Sequence, residues 1–300
     1  MSGIVVVGSA NIDQVFRVER IPSPGETVLS HGLSTALGGK GQNQAVAAAR
    51  AGAATVFIGA VGDDAFGEQV RSGLSDDGID VSLLRTVAMP TGTALIAVDG
   101  TGENIIIVEP GANGQVTALT SADAAAISEA SALVMQLEIP LDTVVEAARI
   151  ARAAGTRVIL NAAPIQELPE ALIETLDVLI VNEHEAAELA RDNGLDAEPE
   201  GVGQRLLALT PTVVVTLGAE GASLHRVGAE PVLVPAHRVT AVDATGAGDT
   251  FCGAFAAAVV EGMLPDDALR FAGAAASISV ENHGAVPSIP VREAIETRLK

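Results

Sequence analysis

Short runs of β-branched and aliphatic residues alternate along the chain with longer Ala-rich segments in which apolar residues recur at helical spacing. Most of the short runs are apolar on both faces, which is typical of parallel strands covered by helices. The predicted strands are Ile4–Gly8, Thr55–Ala60, Ala132–Leu137, Arg157–Asn161, Val178–Val181 and Val213–Leu217. The predicted helices include Gly41–Ala51, Phe66–Ser75, Leu141–Ala154, Glu183–Ala190, Ala247–Val260 and Pro265–Val280. The alternation indicates βαβ units and predicts an α/β fold with a doubly wound, mainly parallel sheet.

Two segments, Asp13–Leu37 and Thr91–Val108, depart from this alternation because they contain strand and turn patterns without a helix between them. The run Asp99-Gly100-Thr101-Gly102 is a hairpin-type turn. We expect these segments to form a small β-sheet lid. Since no linker or repeat interrupts the chain, we expect residues 1–300 to form one domain that carries this lid.

Composition narrows the classes of function. Apolar residues make up 48% of the chain but aromatic residues only 2%, and the formal net charge is −21. Few aromatic side chains and a strongly acidic surface argue against nucleic-acid binding. No apolar run reaches membrane-spanning length and the first residues lack a basic leader pattern, so we expect a soluble, cytoplasmic protein without a membrane partner. The single cysteine, Cys252, excludes an internal disulfide and is expected to be a core residue.

The segment Gly246-Ala247-Gly248-Asp249 precedes an Ala-rich apolar pattern and predicts the first turn of a helix. Small residues there leave backbone N–H groups open to a ligand, and the helix dipole adds partial positive charge, so this end suits a phosphate or a developing anion. A neighbouring phosphate would destabilise Asp249 unless that residue has a chemical task, such as accepting a proton. The alternative is a Gly-rich helix start in which Asp249 is a capping residue.

A second Gly-rich segment, Leu37–Gln44, precedes another Ala-rich helix. It contains Lys40, the only lysine besides the terminal Lys300. The segment is not a phosphate-binding P-loop, because Ser34 stands where the first glycine belongs and Gly41 follows the lysine. Glycines with a lysine and an asparagine suit a ligand with many hydroxyl groups; the alternative is a structural glycine turn.

Polar residues follow several predicted strands at the point where each ends. They are Asn11 and Asp13, Glu138, Asn182 and Glu185, and the run Thr216–Gly221. In open α/β sheets ligands bind beyond the carboxyl ends of the strands, so we expect these residues to share one crevice. Taken singly, each has an ordinary interpretation as a surface acid, a helix N-cap or a turn.

Three competing motifs are incomplete. The run from His184 to Glu188 lacks the second histidine of a zinc protease helix. The run from Gly246 to Phe251 lacks the third glycine of a dinucleotide-binding fingerprint, and no Gly-x-Ser-x-Gly elbow provides a hydrolase nucleophile.

The two glycine segments, Gly38–Asn43 and Asp243–Asp249, match in order and spacing the two signatures of the ribokinase family of carbohydrate kinases, of the phosphofructokinase B type. The chain resembles this family from Ile4 to Pro290, and the runs Gly8–Asp13 and Met135–Glu138 are most similar to its ribose-specific members. The resemblance implies a doubly wound sheet with a β lid. It also implies transfer of the γ-phosphoryl group of ATP to O5 of D-ribose, with magnesium and potassium as cofactors.

By the same resemblance, each motif position carries a role. Asp249 would be the base that takes the hydroxyl proton, and the backbone of Gly246, Ala247, Gly248 and Asp249 would form the anion hole. The sugar would be held by Asn11, Asp13, Gly39, Lys40, Gly41, Gln42, Asn43 and Glu138. The nucleotide would be held by Asn182, Thr216, Leu217, Gly218, Ala219, Glu220, Gly221, Gly248 and Asp249, with Gly273 near the adenine. Asn182 and Glu185 would organise magnesium through water. A monovalent cation would be ringed by Asp243, Thr245, Ser279, Asn282, Gly284 and Ser288.

Two positions depart from the family pattern. Ala244 replaces a common threonine, and Gly273 stands where a larger polar residue is frequent, which leaves the nucleotide preference open. The alternatives are a kinase for deoxyribose, another sugar or a nucleoside, and a sugar-binding regulator without catalysis. The scarcity of aromatic residues in the lid argues against a nucleoside, and the intact Asp249 argues against a regulator.

The predicted lid strands Thr93–Val98 and Ile105–Val108 are apolar on both faces. One face can cover the sugar, whereas the other would leave an apolar patch in water. We therefore expect a homodimer in which the lids of two subunits pair.

Overall fold

The computed structural model of the protein describes residues 3–196, 198–199 and 201–300 and contains two β-sheets. The large sheet has the strand order β13-β12-β11-β10-β9-β8-β1-β4-β5. Its strands are β1 (Ile4–Val7), β4 (Thr55–Gly62), β5 (Leu84–Val87), β8 (Ala132–Met135), β9 (Arg157–Asn161), β10 (Val178–Asn182), β11 (Thr212–Thr216), β12 (Ala222–Arg226) and β13 (Val232–Val234). The doubly wound architecture is confirmed.

The first strand lies inside the large sheet, with six strands on one side of it and two on the other. β1 pairs in parallel with β4 on one side and with β8 on the other, so the chain builds outward in both directions. Such a division opens a crevice beyond the carboxyl ends of the strands. All six predicted strands are present in this sheet.

The helices lie on both faces of this sheet. They are α1 (Lys40–Arg50), α2 (Ala65–Asp76), α3 (Ser121–Glu129), α4 (Leu141–Ala154), α5 (Glu170–Ile173), α6 (Glu183–Asp192), α7 (Val202–Arg205), α8 (Ala247–Glu261), α9 (Pro265–Ser279) and α10 (Arg292–Arg298). All six predicted helices are present, and their ends differ from the predicted ends by at most two residues. In the part of the chain that the structure describes, no helix has the length and apolar character needed to cross a membrane.

The core consists of two apolar clusters, one on each face of the large sheet. Alternate residues of β1 enter different clusters: Ile4 and Val6 lie in one, and Val5 and Val7 in the other. This is the arrangement expected for a strand that helices cover on both sides. Cys252 belongs to the first cluster, and burial raises the pKa of its thiol well above the usual value, as expected for a core residue.

The second sheet has the order β3-β2-β6-β7 and forms the lid. Its strands are β2 (Asn11–Arg17), β3 (Gly32–Gly38), β6 (Gly92–Val98) and β7 (Asn104–Glu109), and the predicted turn over residues 99–102 joins β6 to β7. Register places Asp13 opposite Ala36 and Ala94, whereas Gln14 lies opposite Thr35 and Leu95. Because side chains alternate along a strand, Asp13 and Gln14 define the two faces of the lid.

Helices α1 and α8 approach each other closely at Gly253. A Cβ atom at this position would lie 2.3 Å from the carbonyl oxygen of Gln44 and 2.6 Å from the Cβ of Ala47. Only a glycine fits this contact, because even a methyl group would overlap the neighbouring helix. The close packing brings together the amino ends of the two helices, each of which begins at a Gly-rich segment.

Candidate active site

A cavity of about 230 Å³ lies beyond the carboxyl ends of the strands. It is lined by Lys40, Asn161, Ala163, Ile180, Val181, Asn182, Glu185, Thr216, Ala244, Gly246, Gly248, Asp249 and Cys252. Residues from both Gly-rich segments and from the predicted strand ends at Asn182 and Thr216 therefore share one crevice, whereas the predicted residues Asn11, Asp13, Glu138 and 217–221 are not among its lining. A larger cavity of about 460 Å³, lined by residues such as Arg152, Arg157 and Asp177, lies at the opposite edge of the sheet and contains no predicted site residue.

Asp249 lies in the first turn of α8 and its side chain is only 7% exposed. Its two carboxylate oxygens accept hydrogen bonds from two consecutive residues of α1. Asn43 Nδ2 lies 2.9 Å from Oδ2, and Gln44 Nε2 lies 2.9 Å from Oδ1. The N-cap position of α8 is Gly246, at a φ of 73°, and no side chain caps this helix end. The alternative interpretation of Asp249 as a capping residue is therefore wrong.

The start of α8 presents backbone amides toward the cavity. The N–H groups of Gly248 and Asp249 have no acceptor among the described residues, as expected in the first turn of a helix. Gly248 is exposed, and the space where its Cβ would lie is open. The N–H of Ala247, predicted as part of the anion hole, instead donates to the carbonyl of Ala244 at 3.2 Å. The free amides of the turn are thus those of Gly248 and Asp249.

Glu138 connects the end of β8 to the start of α1. Its Oε2 accepts hydrogen bonds from the Ser9 hydroxyl at 2.6 Å and from the Lys40 N–H at 2.9 Å. Its Oε1 has no partner among the described residues. Gly41 and Gln42 also bond to Ser9, through their backbone N–H groups. Ser9 and Glu138 therefore fix the Gly-rich turn that follows the N-cap residue Gly39.

Asn11 and Asp13 lie on the lid strand β2, and the Asp13 carboxylate is close enough to Glu138 and Asp249 for their charges to act on it. Asn11 Oδ1 accepts a hydrogen bond of 2.7 Å from Asn113 Nδ2, and Asn113 Oδ1 accepts one of 2.9 Å from the N–H of Ala10. The Asp13 carboxylate has no hydrogen-bond partner among the described residues. It is therefore available to accept hydrogen bonds from a ligand that carries donors.

The charges of this region are strongly coupled. Burial, assisted by the negative charges of Glu138 and Asp249, raises the pKa of Asp13 from its usual value of 3.8 to about 6. The Asp249 carboxylate raises the pKa of Lys40, and Glu138 raises it further, whereas burial lowers it. Lys40 is therefore held as a cation among these acids. The site as a whole favours a ligand that brings hydrogen-bond donors to the carboxylates.

Asn182 and Glu185 form a capping box at the start of α6. The Asn182 side chain accepts a hydrogen bond of 2.9 Å from the N–H of Glu185, and Glu185 Oε2 accepts one of 2.8 Å from the N–H of Asn182. Both residues also line the cavity, and burial raises the pKa of Glu185. The N-cap interpretation of Asn182 is thus confirmed, and the capping contact leaves Glu185 Oε1 without a hydrogen-bond partner among the described residues.

The predicted nucleotide residues are only partly brought to the cavity. Thr216 lines it, and a short 3₁₀ turn, Gly218–Glu220, follows at the surface. Gly273 lies on α9 and is not part of the cavity lining.

Asp243 joins two loops beside the start of α8. Its Oδ1 accepts a hydrogen bond of 2.9 Å from the N–H of Thr245, and its Oδ2 accepts one of 2.8 Å from the N–H of Gly284. Burial opposes ionisation, but these hydrogen bonds outweigh it and lower the pKa of Asp243.

The other predicted cation ligands bond within their own segments. The hydroxyls of Ser279 and Ser288 donate to the carbonyls of Ala276 and Ala285, and Asn282 Nδ2 donates to that of Ile278. Within the described residues, no cluster of three or more His, Cys, Asp or Glu side chains is arranged to hold a metal.

Several polar residues of the site were missed by sequence reasoning. Gln44 Nε2 donates to Asn161 Oδ1 at 3.0 Å as well as to Asp249, and Gln136 Nε2 donates to Gln44 Oε1 at 2.6 Å. All three amide residues are buried. The available signal was their polarity, since Gln44 directly precedes the Ala-rich part of α1, Gln136 follows the apolar strand β8 and Asn161 ends β9.

Known proteins resemble the chain over nearly its whole length. Residues 1–292 match the family described as pfkB family carbohydrate kinase. The chain is 43% identical to ribokinase of Schizosaccharomyces pombe, over 97% of this chain and 95% of that protein. It is 39% identical to ribokinase of Bacillus subtilis, over 100% of both chains. The structure of Arabidopsis thaliana ribokinase complexed with ribose and ATP superposes with a TM-score of 0.93 at 36% identity, covering 100% of this chain and 99% of that one.

Proposed function

The chain belongs to the pfkB family of carbohydrate kinases, and we propose that it transfers the γ-phosphoryl group of ATP to O5 of D-ribose, giving D-ribose 5-phosphate and ADP. The observation that carries the proposal is the position of the Asp249 carboxylate. It lies in the same helical turn as two free backbone amides, and it is bonded to the α1 segment that carries the predicted sugar residues. A base and an anion-binding turn so close together suit phosphoryl transfer to an alcohol.

The chemical step follows from this arrangement. As the bond between O5 and the γ-phosphorus forms, the bond between that phosphorus and the bridging oxygen of ADP breaks, and Asp249 accepts the O5 proton. An alcohol is too weak an acid to ionise beforehand, so the proton moves as the new bond forms. The N–H groups of Gly248 and Asp249, the dipole of α8 and the Lys40 ammonium stabilise the charge on the transferred group.

The sugar occupies the space between the lid and the start of α1. The carboxylate of Asp13 and the free Oε1 of Glu138 accept hydrogen bonds from its hydroxyls, and Asn11 and Asn43 add amide groups. Hydrogen bonds from hydroxyls to a carboxylate are stronger than those between neutral groups. By covering the sugar, the lid excludes water, which competes with O5 as the phosphoryl acceptor.

ATP enters from the side of Asn182 and the run Thr216–Gly221, with Gly273 toward the adenine. We propose that it binds as its magnesium complex and that Asn182 and Glu185 hold the metal through water. The Glu185 carboxyl group fits this role, because it lies in the cavity wall with one oxygen outside the capping box. Magnesium bound there would neutralise phosphate charge that an acidic protein otherwise repels.

We propose potassium as the monovalent cation beside the anion-binding turn. Asp243 already holds together the loops that contain Thr245 and Gly284, and these loops contain exposed backbone segments that can offer carbonyl oxygens. One carboxylate with several carbonyls and the hydroxyls of Ser279 and Ser288 suits a large, weakly hydrated ion. A cation at this position would order the turn that precedes α8.

We propose that the protein is a homodimer assembled through the lid. Four large apolar side chains on the Gln14 face of the lid are exposed: Leu33 by 60%, Leu95 by 41%, Ile105 by 40% and Ile107 by 61%. The opposite face carries Asp13 and turns toward the sugar. A second copy of the lid presents a matching apolar face, and pairing the two would remove both from water.

The extent of the domain and the cellular compartment are also proposals. We treat residues 1–300 as one kinase domain with a lid at about 13–37 and 91–108, which the family match over residues 1–292 supports. We propose the cytoplasm as the compartment, because the reaction consumes ATP.

A screen of substrates tests the proposed function. ADP release, measured by a coupled assay across pentoses, hexoses and nucleosides, should give the highest kcat/KM with D-ribose, and phosphorus NMR should place the new phosphate on O5. A best substrate such as fructose or adenosine would contradict ribose while leaving the kinase assignment intact. Sugar binding without any sugar-dependent ADP release would instead support the regulator alternative.

A further inference from the structure

We propose that Gln44 is a positioning residue for phosphoryl transfer, which orients the Asp249 carboxylate through its side-chain amide; the inference rests on the proposed function. Gln44 is fully buried, so its side chain has no surface exposed to the crevice. Its effect on the reaction must therefore pass through the 2.9 Å hydrogen bond from its Nε2 to Asp249 Oδ1.

Gln44, Asn161 and Gln136 form a buried network of hydrogen bonds with Asp249. Two groups that can only accept determine the direction of each bond in it. The Asp249 carboxylate and the Ile180 carbonyl have no proton to give, so the amide nitrogens of Gln44 and Asn161 must face them. The oxygen of Gln44 then faces the other way and accepts from Gln136 Nε2 at 2.6 Å. Gln44 can make all these bonds in one orientation only.

The network ties Asp249 to the central strands of the sheet. Asn161 ends β9 and Gln136 follows β8, and both hold the Gln44 side chain by hydrogen bonds. Gly8, directly after β1, leaves room for the Gln136 side chain, because a Cβ atom at this position would lie 2.1 Å from Gln136 Oε1. Rotation of the Asp249 carboxylate would break the bond to Gln44 and leave a buried donor unpaired, which is unfavourable.

A buried anchor of this kind matters because Asp249 must meet the O5 hydroxyl in one geometry. Asn43 holds the second carboxylate oxygen but also belongs to the predicted sugar site, so its amide is open to competition from hydroxyls. Gln44 faces no such competition. The base is therefore oriented from its buried side, whatever occupies the sugar site.

Three variants test this role: Gln44→Met, Gln44→Glu and the control Thr156→Val. Methionine keeps the volume of the side chain but removes both polar groups. Thr156 is buried at the opposite edge of the sheet and donates a 2.9 Å hydrogen bond to the carbonyl of Ile127, so its variant also loses one buried donor. Wild-type ribose phosphorylation is measured first, since its absence would refute the proposed function and not this inference.

Relative to wild type, Gln44→Met should lower kcat roughly 10- to 100-fold with the ribose KM nearly unchanged, because a misplaced base impairs the transition state more than sugar binding. Thr156→Val should keep kcat although it also loses a buried hydrogen bond. In Gln44→Glu, a second carboxyl group facing Asp249 should move the acid limb of the kcat profile to higher pH, because the two acids would share a proton. Wild-type kcat in folded Gln44→Met, or an unshifted acid limb in Gln44→Glu, would overturn the proposal. If Gln44→Met does not fold, the pH profile of Gln44→Glu decides alone.

Discussion

Asn43 Nδ2 lies 2.9 Å from Asp249 Oδ2, although 206 positions of the chain separate the two residues. The first belongs to the helix that follows the lid strand β3, and the second to the helix that follows the Asp243 loop. The proposed sugar site and the proposed base are therefore joined by direct contact. A substitution at either residue should therefore alter the position of the other side chain.

Replacing Asp249 with Asn should lower kcat by roughly 10²–10⁴-fold or more while ribose still binds, because a general base acts mainly in the transition state. Steady-state rates and calorimetric titration with ribose measure the two effects separately. Asp63→Asn, an exposed change between β4 and α2, serves as the control for a lost carboxylate. A near wild-type kcat in folded Asp249→Asn would refute the catalytic role.

Ribose affinity should weaken as pH falls below about 6, the raised pKa of Asp13. In the proposed site ribose hydroxyls donate to the ionised carboxylate, so protonation would remove an acceptor and should reduce the affinity by up to about tenfold per pH unit. Titration calorimetry between pH 5 and pH 8 measures the ribose affinity on both sides of the Asp13 pKa. Asp13→Asn should bind ribose weakly at every pH, and a wild-type profile that is flat across pH 6 would contradict the assignment.

The same carboxylate should destabilise the unliganded protein at neutral pH. The folded pKa of Asp13 is raised above its usual value of 3.8, so between about pH 4 and pH 6 the folded state binds more protons than the unfolded state. The stabilising contribution of the protonated form is lost as pH rises through 6. At pH 7, Asp13→Asn should therefore raise the free energy of unfolding by about 1–3 kcal/mol. Thermal denaturation should show a higher Tm than wild type at pH 7 and a smaller difference at pH 4, and equal Tm values at both would argue against it.

Ile107→Asp should separate the proposed dimer, because it places a charge on the apolar Gln14 face of the lid. Light scattering at micromolar concentration should then give the mass of one chain. Val227→Asp is the control, since Val227 is 66% exposed and lies beside the strand β12 of the other sheet. A wild-type protein that is monomeric and fully active would rule out assembly through the lid.

Potassium should raise the rate of phosphorylation, and the response should depend on Asp243. Rates are compared with and without potassium in a sodium-free buffer whose ionic strength comes from a large organic cation. Asp243→Asn should lose the response. Asp99→Asn should keep it, although Asp99 holds a similar turn through a 2.8 Å bond from the N–H of Thr101. Equal wild-type rates with and without potassium would mean that this loop pair holds no functional cation.

The sequence was most informative where one local pattern determined an element. Helix α4 has the predicted bounds Leu141–Ala154, because its apolar spacing is regular and Gly155 ends it in the left-handed conformation. Strands β12 and β13 were not predicted. They are short antiparallel strands at one end of the sheet, where β13 forms the edge, and the buried residues of β12 include His225, which breaks the apolar pattern.

The candidate site, too, was predictable only where local patterns determined it. The meeting of Asp249, Asn182 and Thr216 in one crevice followed from the position of each residue after a strand or at a helix start. The role of Gln44 did not, because its partners Gln136 and Asn161 lie 92 and 117 positions away and nothing local identifies them. The Ala247 amide was misassigned for a different reason: it donates to the carbonyl of Ala244 in a local turn that the sequence pattern did not reveal.

The contact of Gly253 with the backbone of Gln44 makes the distance between base and sugar loop a matter of how closely two helices touch. Loops along the intervening chain, such as the exposed hairpin at residues 99–102, can lengthen or shorten without moving Asp249 relative to Asn43. A methyl group added at position 253 would instead push the two helices apart and so move Asp249 relative to Asn43. Insertion of a tag or sensor should therefore be tolerated in a loop such as residues 99–102, whereas even a methyl group at position 253 should not.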